Sequence, residues 1–259
     1  KIPKKPFSIV LALSDKLDTL IGFFGLDQKP TSSKDPYALR RLALGFVRIL
    51  IENNKKFKIR NLINYSLQLY QEQGFVFKNK SSSNELIDFL MERLKYYMKE
   101  KNIRIDIIEA NQKSFGIDDL TIAYKKSETL NKFIDKDIGI NIISSYKRAF
   151  NILENELKNT EIELSNTADP ELFKNEYEKN LYKIICQLRK YFTDINKNEN
   201  YELTLENLAD AKQVIFDFFD NVIVNDEDEK IKKNRLELLQ MLCKTFDNYI
   251  NFSNIESTK

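Results

Sequence analysis

Histidine is absent from this 259-residue chain, and glycine (6), proline (5) and cysteine (2) are scarce. Without an imidazole there is no Ser-His-Asp or Cys-His nucleophile system, no zinc site with histidine ligands and no histidine acid–base group near neutral pH. Catalysis by carboxylates or lysines alone remains open. So few glycines and prolines argue against a turn-rich β-sandwich or barrel and against glycine-rich phosphate loops, and long helices with few turns suit the composition better. The cysteines, Cys186 and Cys243, form no C-x-x-C pair. Each sits among apolar residues at helical spacing, as Leu181, Ile184, Ile185 and Leu188 surround Cys186. Both read as reduced core thiols of a cytoplasmic protein. No apolar run approaches the roughly 18 residues a membrane span needs. The first residues, Lys1-Ile2-Pro3-Lys4-Lys5-Pro6, lack an initiator Met and lead straight into an amphipathic pattern without a signal-cleavage site, so the chain is expected to be a piece of something longer.

What is present is a core: 42% hydrophobic residues with 12% aromatics exclude disorder of the whole chain. The net charge of +2 is unevenly spread. Residues 1–60 hold 13 Lys/Arg against 5 Asp/Glu, and the remainder hold 28 against 34. A basic first quarter suits a nucleic-acid partner. Drift in a lysine-rich composition explains it equally well, so charge alone does not decide.

Helical periodicity covers nearly everything, and the fold class is all-α. The first pattern, 7–24, aligns Ile9, Leu13, Leu17, Leu20 and Phe24. A loop follows and ends at Asp35-Pro36, a cap followed by a residue with no N–H to waste, which predicts a helix over 37–53 carrying Arg40, Arg41 and Arg48. Helices are expected at 59–73 and at 83–101. The latter opens with Ser82-Ser83-Asn84-Glu85 at capping-box spacing. Segments 103–112 and 117–134 are weaker. Gly74-Phe75-Val76-Phe77 has extended character. The break at Phe115-Gly116 divides the chain into expected domains 1–115 and 116–259. Beyond it come helices at 138–158, at 170–194 after Asp169-Pro170 with Tyr177, Leu181, Ile185 and Leu188 on its expected core face, at 201–219 and at 226–252. The last three, joined by short connections, read as an antiparallel bundle.

Three charged constellations invite chemistry. Asp15 and Asp18 share a helix face and could bind a divalent cation, but no further ligand is near in sequence. Asp226-Glu227-Asp228-Glu229 fails as a calcium loop, because Lys230 and Ile231 stand where a ligand and a glycine are needed; four acids at a helix start complement its dipole. Lys230, Lys232, Lys233 and Arg235 follow within six residues and could neutralise phosphates. Pairing of Asp226 with Lys230, Asp228 with Lys232 and Glu229 with Lys233 is the alternative.

Two stretches carry a resemblance. Ala12-Leu13-Ser14-Asp15-Lys16-Leu17-Asp18-Thr19-Leu20-Ile21-Gly22-Phe23-Phe24 with Lys29-Pro30-Thr31-Ser32-Ser33-Lys34-Asp35-Pro36-Tyr37-Ala38-Leu39-Arg40-Arg41 is one. Phe218-Phe219-Asp220-Asn221-Val222-Ile223-Val224 with Lys233-Asn234-Arg235-Leu236-Glu237-Leu238-Leu239 is the other. Together they resemble the bacterial glycyl-tRNA synthetase β subunit, with Ser32 where that family often has Gly and Ile223 where Met is common. The resemblance implies the C-terminal part of that subunit: the tail of an HD-like helical domain over 1–115, then a DALR-like anticodon-binding bundle over 116–259. It implies tRNA(Gly) and a catalytic α subunit as partners, in a heterotetramer of two α and two β chains, with ATP used by the α subunit and no cofactor, metal or catalytic residue in this chain. Without histidine no phosphohydrolase activity carries over, and Asp15 is at most a vestigial acid. The alternative is a helical scaffold that contacts other subunits and not RNA. If the bundle holds the anticodon arm, the acidic stretch 194–229, with 11 acids against 2 lysines, must face away from it. The tRNA-binding candidates are then Lys232, Lys233, Asn234 and Arg235, joined by Arg189 and Lys190, with Lys34, Arg40 and Arg41 in the basic first quarter. For Arg235 a salt bridge inside the bundle is the competing role.

Overall fold

A computed structural model describes residues 2–112, 118–159, 163–198 and 200–256. The helices are α1 (Pro6–Gly25), α2 (Leu39–Glu52), α3 (Ile59–Glu72), α4 (Ser82–Glu100), α5 (Ile105–Gln112), α6 (Leu120–Phe133), α7 (Asp137–Asn159), α8 (Glu176–Asn198), α9 (Tyr201–Asp210), α10 (Lys212–Asn221) and α11 (Glu229–Asp247). Single 3-10 turns lie at Pro170–Leu172 and Phe252–Asn254. No strand occurs among the described residues, so the fold is all-α; Gly74 to Phe77 is coil. The chain divides into two compact units, Lys1–Ile108 with Phe115–Lys125, and Glu109–Ser114 with Lys126–Lys259. The expected boundary at Phe115-Gly116 falls outside the described residues.

In the first unit α1, α2 and α4 pack together, with α3 against α1 and α4. Leu20, Ile21, Phe46, Leu50, Leu86 and Leu90 are fully buried, each worth about 1.5–3 kcal/mol in removed apolar surface. Asp35 caps α2 as expected but from further off: its carboxylate accepts from Leu39 N–H at 2.8 Å and Arg40 N–H at 3.0 Å. Pro36 and Tyr37 form a turn, and Ala38 takes a left-handed φ of 55° before the helix starts at Leu39. The expected capping box on α4 does not form. Glu85 is drawn away by Lys29 at 2.7 Å and Asn79 at 2.7 Å. Asp118 supplies the start of α3 from far along the chain, accepting from Ile59 N–H through its carbonyl at 2.8 Å and from Arg60 N–H through its carboxylate at 2.7 Å. At the end of α1 the Phe77 ring packs against Gly25, where a Cβ would meet ring carbons at 2.2–2.6 Å. Only glycine fits there.

The second unit is a bundle of α7, α8, α9–α10 and α11. Side-chain contacts fix the directions. Glu178 meets Arg235 and Arg189 meets Thr245, so α8 and α11 run parallel. Tyr146 meets Asp247 and Glu156 meets Lys232, so α7 and α11 run antiparallel. Arg148 meets Asp220 and Asn141 meets Lys212, so α7 and α10 run parallel. This is up-down-up-down order, with α7 added to the three helices that periodicity assigned to the bundle. Several boundaries differ from the sequence expectation, and α11 ends at Asp247 rather than 252. After Asp169 caps Glu171 N–H at 3.0 Å, the Pro170–Leu172 turn ends at Phe173, whose ψ of 122° leaves the helical region, and α8 restarts at Glu176. The expected 201–219 helix is interrupted at Ala211. α11 starts at Glu229, capped by the Asp228 side chain on Lys230 N–H at 2.9 Å, so Asp226 and Glu227 precede the helix. α11 is buried on nearly every side from Ile231 to Phe246. Near its end Tyr146, Phe246 and Phe252 form an aromatic cluster with centroids 5.7–6.1 Å apart.

Candidate nucleic-acid interface

The basic start of α11 is not an open patch. Arg235 is 5% exposed and its guanidinium is held at two nitrogens: Nε donates to Glu178 at 2.6 Å, and Nη1 donates to Asp226 at 2.7 Å and to the Ile223 carbonyl at 2.8 Å. Glu178 is completely buried. Its other oxygen accepts from Lys174 N–H at 2.6 Å and Asn175 N–H at 3.0 Å, while Asn175 Oδ1 accepts from Glu178 N–H at 3.0 Å. That reciprocal pair is a capping box at the start of α8. Arg235 therefore ties the start of α8 to the α10–α11 connection, which a planar fork with several fixed donors does well. The Asp228 backbone N–H, with Lys174 and Arg235, holds the Asp226 carboxyl below its ordinary range.

Lys232 is 8% exposed and pairs with Glu156 at 2.9 Å. Asn234 is buried and brackets the backbone of Asp169, accepting from its N–H at 2.6 Å and donating to its carbonyl at 3.0 Å. Asn234 belongs to a stripe of α11 that holds the segment 165–169. Glu237 accepts from Ser165 N–H at 2.9 Å, Met241 sulfur from Ala168 N–H at 3.2 Å, and Lys244 donates to Asn166. Lys232, Asn234 and Arg235 are thus corrected from accessible tRNA contacts to internal clamps, because α7, α8 and this segment all pack on α11. Lys233 alone of the four is exposed. The pairing of Asp226 with Lys230 expected on a helix does not occur either, since Asp226 lies before the first turn.

α8 differs. Arg189 is half-buried and donates to Thr245 at 3.2 Å, whereas Lys190 is exposed. Lys179, Asn180, Lys183, Gln187 and Tyr191 are also exposed, with Tyr177 at 38% and Tyr191 at 44%. Lys179 pairs with Glu176 at 2.8 Å. Residues 179–193 contain four cations and no acid. In the first unit Lys34 and Arg41 are exposed, while Arg40 is half-buried and donates to the Thr31 carbonyl, closing the 31–40 loop. Lys34 and Arg41 remain at the surface of that unit.

Asp15 and Asp18 are exposed, with Lys16 at 3.9 Å from Asp15, and no group of three or more metal-ligating side chains occurs among the described residues. Cys243 is buried, and burial pushes its thiol up. Cys186 is exposed, a correction of the core-thiol expectation: one residue past buried Ile185, it has turned off the face formed by Leu181, Ile185 and Leu188. Burial also raises the Asp247 carboxyl to about 6, where it accepts from Tyr146 Oη–H at 3.3 Å and Phe252 N–H at 3.2 Å. Glu178 escaped the sequence reading, which placed Tyr177 on the core face. The Asn175-x-x-Glu178 spacing was its visible signal. The bond of Asn234 to a backbone 65 residues away left no signal in sequence.

No described helix is long and apolar enough to cross a membrane. Residues 1–113 match the family model described as glycyl-tRNA synthetase beta subunit, and residues 142–258 match that of the DALR anticodon binding domain. The glycine–tRNA ligase beta subunit of Rickettsia prowazekii is 38% identical over 245 residues, 94% of this chain and 34% of that protein. Its counterpart from Cereibacter sphaeroides is 32% identical over 255 residues, 98% of this chain and 37% of that protein. The chain spans about a third of the length of these curated relatives.

Proposed function

The chain is similar to the C-terminal part of the glycyl-tRNA synthetase β subunit, and on that premise we propose that it is the tRNA-binding region of a glycine–tRNA ligase. It holds the anticodon arm of tRNA(Gly) while a separate α subunit activates glycine with ATP and completes the transfer, in a cytoplasmic assembly of two α and two β chains. The observation that carries this reading is the match of 142–258 to an anticodon-binding domain, a span that covers the bundle from α7 onward. Such a domain works by binding: bases of a single-stranded loop are taken up by stacking and edge hydrogen bonds, while cations contact the phosphates. Held at one end, the tRNA presents its other end to the chemistry with less orientational freedom to lose.

Fluorescence anisotropy with labelled tRNA(Gly), compared with a non-cognate tRNA over a salt series, tests this. Cognate preference and a log–log slope that steepens with the number of phosphate contacts are expected. Salt-independent or absent binding by the folded chain would return the scaffold reading, which has its own support in the first unit: Phe7, Val10 and Leu11 of α1 are 79%, 63% and 61% exposed. A companion expectation is that the chain alone catalyses no glycine-dependent pyrophosphate exchange with ATP, and measurable exchange by the pure chain would move the adenylate chemistry into it.

A further inference from the structure

The outward face of α8 is built as a stacking ridge beside a row of cations. At 100° per residue, Tyr177, Asn180, Gln187 and Tyr191 share a sector about 80° wide, spaced three, seven and four residues apart, and Lys179, Lys183 and Lys190 share a sector about 40° wide next to it. All seven are exposed. Leu181, Ile185 and Leu188, opposite the lysine row, are buried in the bundle, so the phase of the helix is set by packing, with the lysine row pointing to water and the ridge on its flank. Tyr177 and Tyr191 are 14 residues apart, roughly 21 Å along the axis, too far for one base to span. They are two separate stacking positions.

The surrounding sequence makes the charge distinctive. The stretch 194–229, with 11 acids and 2 lysines, follows directly, yet 179–193 carries four cations without an acid, of which Lys179 pairs back to Glu176 and Arg189 turns in to Thr245. An exposed tyrosine flanked by lysines and primary amides matches the chemistry of single-stranded nucleic acid: the ring stacks on a base, the amide reads a base edge, the ammonium groups follow the backbone. A protein partner fits this face less well, because its only apolar contribution is the two partly exposed rings.

From this placement we infer that the outward face of α8 takes the single-stranded bases of the tRNA anticodon loop, with Tyr191 as the stacking platform, Gln187 at a base edge and Lys183 and Lys190 on the phosphates. This rests on the tRNA-binding reading and deepens it by assigning the surface. The test is binding of a labelled anticodon stem-loop of tRNA(Gly) by the full chain. Tyr191→Ala should weaken binding by tenfold or more, Tyr191→Phe should stay within about twofold of the unaltered chain, and Lys183→Gln with Lys190→Gln should flatten the salt slope by roughly one to two units. Gln187→Ala should reduce the preference over a stem-loop of altered anticodon. Thermal melts should show each variant folded, since the altered side chains lie at the surface of the bundle. If the unaltered chain binds and Tyr191→Ala and the lysine pair bind equally well with the same salt slope, the RNA lies elsewhere and this assignment is overturned, whether or not the face then proves to bind a protein subunit. If the unaltered chain binds no RNA, it is the functional reading itself that fails.

Discussion

Helices α8 and α11 each carry several lysines and an arginine and run parallel in the same bundle, yet they place most of their cations differently. On α11, Lys232 and Arg235 turn inward to Glu156, Glu178 and Asp226. On α8, Lys183 and Lys190 turn outward, and the buried charge is an acid, Glu178. The difference lies in the neighbours. α8 packs on one side, whereas α11 is enclosed by α7, α8 and the segment 165–169. A cation in an enclosed helix needs a partner or it must shed its charge. The residues that carry the family resemblance near the C-terminus, Asn234 and Arg235, are accordingly the clamps of the bundle.

The largest expected effect breaks the inner half of this comparison. Arg235→Ala leaves the Glu178 carboxylate buried and short of its strongest partner, and should cost about 3–5 kcal/mol in urea or guanidinium unfolding. Arg235→Met combined with Glu178→Gln should recover much of that loss. If Arg235→Ala leaves stability unchanged and weakens tRNA binding instead, the clamp is not its role.

The next effect, at the far end of α11, concerns pH. The Asp247 carboxyl is raised to about 6 by burial, so the folded state holds its proton more tightly than the unfolded chain does. Its contribution to stability is therefore full below the ordinary carboxylate range and is lost as pH rises through 6, a swing of about 3 kcal/mol between acid and neutral pH. Asp247→Asn removes the titration. Denaturation curves of both proteins should show the variant gaining on the unaltered chain as pH rises from 5 to 7, and a constant difference would contradict the assignment.

Adjacent lysines sharpen the contrast further. Lys232→Ala breaks a largely buried pair and should cost about 1–3 kcal/mol, with Lys233→Ala within about 0.5 kcal/mol of no change. This replaces the expectation that both lysines form one tRNA-contacting patch. Smallest of all, thiol titration of the native chain should label Cys186 quickly with no change in melting temperature, while Cys243 reacts only on unfolding. Equal rates would place both in one environment.

Much of the architecture was legible beforehand. Apolar spacing located the helices to within a few residues, since burial of one face requires it. Errors clustered at starts such as 37, 170 and 226: Asp35 and Asp169 cap as expected but the chain makes a turn first, and the last helix begins later, capped by Asp228. The site was less legible. Periodicity aligned Lys232, Asn234 and Arg235 on a basic helix without saying that three sides of that helix are covered. It also assigned Tyr177 to the core, where the structure buries Glu178.

The sequence by itself determined an all-α chain, without histidine chemistry, whose helix positions and motif text resemble a synthetase β subunit. Those properties depend on local spacing and composition, which any short window contains. Only the tertiary structure decided which charges are spent inside the bundle and which face water, because that depends on which helices meet. Glu178 and Arg235 lie 57 residues apart, and nothing in either local sequence states that α8 and α11 run side by side.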